Sequence, residues 1–202
     1  MSVSRLHVCS SNVGKLRDFA LAALASGQTQ IVIEPLPGLS EIPPPDENGI
    51  SFEENAVAKA LRYSAFTPEL VLADDSGLEV AVLDGAPGIH SARYAGPGAT
   101  DIANNNLLLS RLGDLADRDA RFVCVLAVAQ NGRVLVTARG AVNGEILLAP
   151  RGNHGFGYDP LFFYPALQRS FAELAPEEKL AVSHRGAALR LLFRRLPQIV
   201  AA

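Results

Sequence analysis

The sequence predicts an α/β fold, in which a strand–loop–helix beginning is joined by an antiparallel portion, and three stretches carry that expectation. Leu6-His7-Val8-Cys9 runs as a strand into a polar loop, after which Leu16, Phe19, Ala20, Ala23 and Leu24 recur at helical spacing. Leu70-Val71-Leu72-Ala73 has the aliphatic character of a buried strand and meets Asp74-Asp75-Ser76-Gly77. Asn131-Gly132 separates the strand-like runs Arg121 to Ala129 and Arg133 to Ala138, and is a strong hairpin signal because both residues tolerate the positive φ of a type I′ turn.

Composition narrows the class. The 202 residues, 49% hydrophobic and without a low-complexity tract, can bury one core of ordinary size, so a single domain over 1–202 is expected, with room for two lobes. No apolar run approaches the roughly 20 residues that span a bilayer. Met1 to Ser10 show no basic segment followed by a long apolar stretch, and the expectation is a cytoplasmic protein with no membrane partner. A net charge of −3 argues against a broad polynucleotide-binding surface and leaves room for a local basic pocket. Cys9 and Cys124 lie inside apolar runs without CxxC or Cys/His spacing, which suits buried thiols better than a disulfide or a zinc site. Of the 18 basic residues only Lys15, Lys59 and Lys179 are lysines. Where arginine supplies the surface charge, a lysine can mark a place that wants a compact point charge in preference to a planar fork.

Taken in order, the first strand leads into Ser10-Ser11-Asn12-Val13-Gly14-Lys15, and Gly27 falls where a helix C-cap belongs. A strand-to-helix junction of this kind turns free N–H groups and a positive helix end toward an anion, with Lys15 in the first turn. It is not a P-loop, since Leu16 stands where the hydroxyl would be. The plain alternative is a Ser or Asn cap with an exposed lysine. Ile31-Val32-Ile33 forms a second strand, and the prolines at 43–45 stiffen the connection that carries Asp46 and Glu47, which are either metal ligands or a solvated loop tip. Ser51 and Glu54 make a capping-box pattern for a helix on whose apolar stripe Asn55 and Lys59 sit four residues apart. Such a pair either lines a cleft or satisfies itself.

The acidic stretch comes next. An acidic pair delivered to a strand end suits a hard divalent cation or a general base, because in open α/β sheets the carboxyl ends of strands face ligand crevices. The same residues are also turn chemistry. The segment from Leu83 to Gly98 is too rich in glycine and proline for a helix or central strand, and a long ordered loop is expected. Thr100 caps a helix carrying Leu107, Leu108, Arg111 and Leu112, read as packing, and Ala141 to Leu148 adds a further strand. In Gly155-Phe156-Gly157-Tyr158-Asp159 the glycines let backbone approach a ligand, so Phe156 could stack on a base while Asp159 accepts hydrogen bonds from its edge; a hairpin with a core phenylalanine is the alternative. Ser183 caps a final amphipathic helix, which puts His184 and Arg185 in its first turn.

Together these stretches resemble one family. Ser11-Asn12-Val13-Gly14-Lys15, Phe52-Glu53-Glu54-Asn55-Ala56 with Lys59-Ala60, Ala73-Asp74-Asp75-Ser76-Gly77-Leu78, Gly85-Ala86-Pro87-Gly88, Ser91-Ala92-Arg93-Tyr94, Gly155 to Pro160, Glu178-Lys179 and Ser183-His184-Arg185 are similar to the ordered motifs of the inosine triphosphatase family. All three lysines fall inside matched segments.

The resemblance implies a long twisted mixed β-sheet flanked by helices, two lobes with the site in a cleft, and a homodimer. It implies magnesium-dependent hydrolysis of dITP, ITP, dXTP and XTP to monophosphate and pyrophosphate, which clears these purine nucleotides from the pool. By motif, Ser10, Ser11, Asn12, Val13, Gly14 and Lys15 would bind the triphosphate, with Lys15 and Lys179 offsetting its charge. Asp75 would be the catalytic carboxylate and a metal ligand, and Asp46 a second Mg2+ ligand, alone or with Glu47. Ser76 would contact the nucleotide. In Phe156-Gly157-Tyr158-Asp159 the phenyl ring would stack on the purine, while Asp159, His184 and Arg185 read its edge. The chain departs from the expected pattern at Ser10-Ser11, at Asp18 and Asp46, both in place of longer carboxylates, and at His154. A house-cleaning pyrophosphatase for modified pyrimidine triphosphates and a nucleotide-binding module without turnover are the rival readings.

Overall fold

The computed structural model describes residues 4–27 and 31–200. Seven strands form one mixed sheet in the order β2-β1-β3-β4-β5-β6-β7, flanked by helices. In chain order these are β1 (Ser4–Val8), α1 (Val13–Ser26), β2 (Ile31–Pro35), α2 (Phe52–Tyr63), β3 (Leu70–Val80), α3 (Asp101–Leu112), β4 (Asp119–Gln130), β5 (Arg133–Ile146), β6 (Phe162–Tyr164), β7 (Arg169–Ser170), α4 (Pro176–Val182) and α5 (His184–Val200). Both β2 and β3 pair in parallel with β1, whereas β6 runs antiparallel to β5 and to β7. The expected α/β beginning and antiparallel continuation are therefore both present.

The chain divides into two compact units. Unit 1 comprises Met1–Asp75, Cys124–Gly140 and His184–Ala202; unit 2 comprises Ser76–Val123 and Ala141–Ser183. In unit 1, α1 packs on β2 and α5. Asn12 caps α1 by accepting the Lys15 N–H at 3.0 Å, and Gly27 closes it at φ 63°, where a side chain would be strained. Ser51 caps α2 by accepting the Glu54 N–H, while the Glu54 carboxylate reaches back to the N–H of Ile50. The hairpin turn is formed as expected, with Asn131 and Gly132 both at positive φ. Cys9 and Cys124 are free and buried, and burial pushes both thiols up to about 12.

In unit 2 an aromatic and aliphatic core joins Leu78, Val80, Leu108, Leu112, Phe122, Phe162 and Phe171. Phe122 and Phe171 stack with centroids 5.9 Å apart. The glycine- and proline-rich segment follows a 3-10 turn at Ala81–Leu83 and carries a second at Gly88–Arg93. Ser91 anchors it to β3 by accepting the Leu78 N–H at 2.9 Å and donating to the Gly88 carbonyl at 2.6 Å.

Two element boundaries differ from the expectation. Arg133 to Ala138 and Ala141 to Leu148 are not separate strands; one strand, β5, runs through Gly140. A Cβ at Gly140 would meet the backbone of His184 and Ala188, so the glycine there admits a close approach of α5 and does not mark a break. Likewise β3 does not stop at Asp74-Asp75 but continues to Val80. Turn propensity is overridden because both carboxylates find cationic partners, described next, and the strand stays paired.

Candidate functional site

The strand that ends near the acidic pair is β1, not β3. The register Leu6↔Leu70 to Val8↔Leu72 closes with the Cys9 N–H on the Leu72 carbonyl at 2.8 Å, and the chain then leaves as the loop to α1. Beyond that point β3 carries Asp74 and Asp75 past the carboxyl end of a parallel neighbour, the position where such sheets open to ligands. A cavity of about 630 Å³ lies here in unit 1, walled by Ser10 to Asn12, Lys15, Glu47, Lys59, Tyr63 and Asp74 among others.

Consecutive strand residues point to opposite faces, so the two carboxylates have different partners. Asp74 accepts from Lys15 Nζ at 2.9 Å and lies 3.6 Å from Arg185 Nη2. Asp75 accepts from Lys59 Nζ at 3.1 Å through Oδ1 and from Asn55 Nδ2 at 3.1 Å through Oδ2. Lys59 also takes Glu47 at 2.5 Å. One ammonium is thus gripped by two carboxylates. Asn55, itself 1% exposed, accepts the Gly49 N–H at 2.9 Å, tying the loop that carries Glu47 to the Asp75 side chain.

The electrostatics of the pair diverge accordingly. Burial would raise Asp74, but Lys15 and Arg185 outweigh it and hold the carboxyl down to about 2. For Asp75 burial wins over Lys59 and Asn55, and the carboxyl lies above its ordinary value. Burial disfavours the charge on Lys59, yet Asp75 and Glu47 more than compensate and its pKa is raised. Arg185, 1% exposed, bonds Asp18 at 2.8 Å, so the shorter carboxylate at 18 still reaches its guanidinium.

Unit 2 assembles a second set. Phe156 is half-buried and its N–H donates to Asp159 Oδ2 at 2.8 Å. Lys179, 6% exposed, forms an ion pair with Asp159, and its ammonium lies 4.7 Å from the Phe156 ring centroid. Gly155 is at φ 77°, and a Cβ there would run into the Asp159 carboxylate. Tyr158 is buried with its hydroxyl on the Ser91 carbonyl at 2.8 Å; it braces the loop against the neighbouring turn.

Of the expected site residues, Ser10, Ser11, Asn12, Lys15 and Glu47 line the unit 1 cavity together with Asp74, to which no site role was assigned, and Val13 and Gly14 open α1 beside them, the Val13 side chain 77% exposed. Asp75 joins this set through Lys59, and Arg185 through Asp74. Asp46 is exposed, and it is its neighbour Glu47 that reaches Lys59. Phe156, Gly157, Tyr158, Asp159 and Lys179 come together in unit 2, the last with its ammonium on Asp159. Ser76 follows Asp75 in β3 and is half-buried, and His184 opens α5, 4% exposed. Sequence reasoning gave no role to Lys59 or Asn55, although the signal was present: a polar pair four residues apart on an apolar stripe, one member belonging to a set of three lysines. Each of those lysines sits on a buried aspartate.

Comparison with known proteins shows the family and the fold. The model of the Ham1 family matches residues 6–195. A protein of Acidobacterium capsulatum named dITP/XTP pyrophosphatase is 53% identical over 201 residues, covering 95% of this chain and 98% of its own. Among solved structures, a HAM1 protein from Coxiella burnetii matches with a TM-score of 0.86 at 40% identity, over 97% of this chain and 100% of that one. The Staphylococcus aureus Ham1 protein matches with a TM-score of 0.84 at 38% identity, over 96% and 99%.

Proposed function

We propose, from the premise that this chain belongs to the Ham1 family, that it hydrolyses purine nucleoside triphosphates of the dITP and XTP type to the monophosphate and pyrophosphate. The name of the relative 53% identical to it supports this substrate class. The observation that carries the reading is the unit 1 cavity, where Lys15, Lys59 and the start of α1 face the same space beside a carboxylate that burial makes more basic than usual.

A triphosphate suits those walls. The first N–H groups of α1 have no carbonyl partner within the helix, and with Lys15 they form an anion site. Asp74 fixes Lys15 from below, so the ammonium is positioned before a ligand arrives. Asp75 accepts the proton of the water that attacks the α-phosphorus, and its raised pKa improves it as a base. Asn55 and Lys59 occupy one oxygen each and orient that carboxylate. Charge developing on the pyrophosphate leaving group falls to Lys15 and Lys59.

Magnesium is part of the proposal. Glu47 and Asp75 present carboxylate oxygens to one cationic centre, the Lys59 ammonium, and two carboxylates plus retained waters are a donor set that Mg2+ accepts. Asp75 with Glu47 would hold the ion, which when bound supplies charge neutralisation on the phosphate oxygens.

In unit 2, Phe156 offers its face to a base and Asp159 a carboxylate to its edge.

The test is anion-exchange analysis of products from dITP, XTP, dGTP and dATP, with and without magnesium, beside Asp75→Asn. Monophosphate and pyrophosphate from dITP and XTP, dependent on magnesium and reduced roughly 10²-fold or more in the variant, are expected. Stepwise release of orthophosphate, or binding of dITP without turnover, would refute the reading.

A further inference from the structure

Helix α3 is accounted for by packing only on the side that carries Leu108 and Leu112, which belong to the unit 2 core. Asn105 lies on the same stripe, three residues before Leu108, and is 8% exposed. Its Nδ2 donates to the Gly157 carbonyl at 3.0 Å, while its Oδ1 is buried with no hydrogen-bond partner among the described residues. An amide half-satisfied in a core stripe costs stability relative to an apolar side chain of the same size. Its neighbour Asn104 shows the contrast. It is equally buried, but both ends are used, Oδ1 accepting from the Ala95 N–H at 2.8 Å and Nδ2 donating to the Ala92 carbonyl at 3.2 Å.

The Asn105 contact is one half of a grip. Gly157 N–H donates to Asp101 Oδ2 at 2.7 Å, and Asp101 is the first residue of α3. Both polar groups of Gly157 are therefore held by one helix. On the other side of the aromatic residue, the Phe156 N–H is held by Asp159. A Gly-Phe-Gly loop with both glycines at positive φ has much backbone freedom to lose, and its ring direction is set only if the adjoining peptides are fixed.

We infer that Asp101 and Asn105 are positioning residues for base recognition: through Gly157 they hold the Phe156 ring ready for the purine, so that ordering the loop is not charged to substrate binding. This rests on the proposed pyrophosphatase reading and adds to it the element that presents the base platform. Neither side chain need touch the nucleotide. The effect belongs to binding of the base and leaves the handling of the phosphates unchanged.

The experiment compares wild type, Asn105→Leu, Asp101→Ala and Asp101→Asn in steady-state hydrolysis of dITP, with inorganic tripolyphosphate as a base-free competitive probe. Asn105→Leu keeps the branched shape and the number of side-chain heavy atoms while removing both the orphan oxygen and the donor to Gly157, so it is expected to fold, with a Tm close to that of wild type. Its KM for dITP should nonetheless rise about tenfold, the order of one lost hydrogen bond, with kcat within about twofold and the tripolyphosphate Ki unchanged. Asp101→Ala should behave alike, and Asp101→Asn, which keeps an acceptor for the Gly157 N–H, should recover most of the loss. An unmoved KM in Asn105→Leu, or a tripolyphosphate Ki that rises in step with KM, overturns the inference while wild-type turnover of dITP stands. Absence of that turnover in wild type overturns the underlying reading first, and the inference with it.

Discussion

Asp74 and Asp75 are adjacent in one strand and chemically opposite, and the difference lies in their neighbours. Asp74 faces two cations and stays ionised; Asp75 shares its one ammonium with Glu47 and is pushed toward the neutral form. The first of these has a consequence for stability. With its folded-state pKa held at about 2 against an ordinary 3.8, ionised Asp74 favours the folded state. That contribution is complete above pH 3.8 or so and is lost as pH falls through about 2, and the shift corresponds to roughly 2 kcal/mol. Urea unfolding between pH 2 and 5 should show wild type losing stability through this window. Asp74→Asn should be less stable at pH 5, because Lys15 and Arg185 lose their counter-charge, and should have a flatter acid dependence; an equal slope in both proteins would contradict the assignment. At this scale the sequence was informative about residue type and less so about partners. The scarcity of lysine marked three places where a point charge meets a buried carboxylate. It could not say that Lys59 bridges Asp75 and Glu47, because that depends on where the 43–50 loop folds back, and Asp46 and Glu47 are indistinguishable as a loop pair until Asn55 is seen to hold Gly49.

Among the elements, the parallel beginning and the hairpin were legible because periodicity and turn chemistry are local: helical spacing in α1 and α2, and Asn131-Gly132 at positive φ. Boundaries that depend on tertiary compensation were not. The expectation that the strand ends at Asp74-Asp75 followed from turn propensity, whereas β3 carries both carboxylates in mid-strand because Lys15, Arg185, Lys59 and Asn55 satisfy them. The long β5 was read as two strands, Arg133 to Ala138 and Ala141 to Leu148, whereas it runs unbroken through Gly140, which makes room for the first turns of α5. Gly140→Ala is therefore expected to destabilise the protein by about 1–3 kcal/mol, since the added methyl meets main-chain atoms of His184 and Ala188 that cannot rotate away. Thermal unfolding measures this directly, and an unchanged Tm would show that α5 can shift at no cost. Helix α3 was read as packing only; its grip on Gly157 joins residues 52 or more apart in sequence, and no local pattern announces it.

For the molecule as a whole, the mixed seven-stranded sheet and the family match over residues 6–195 agree with the resemblance carried by the motifs. A net charge of −3 is compatible with a polyanionic substrate because the cations are concentrated where they act: Lys15 and Lys59 at one cavity, Lys179 at the aromatic loop. In the proposed reaction Asp75 delivers water to the α-phosphorus, so that pyrophosphate leaves intact. Hydrolysis of dITP in ¹⁸O-labelled water, followed by mass analysis of both products, tests it most directly. Label is expected in the monophosphate and none in the pyrophosphate. Label in the pyrophosphate, or in released orthophosphate, would place the attack on another phosphorus and contradict the role given to Asp75.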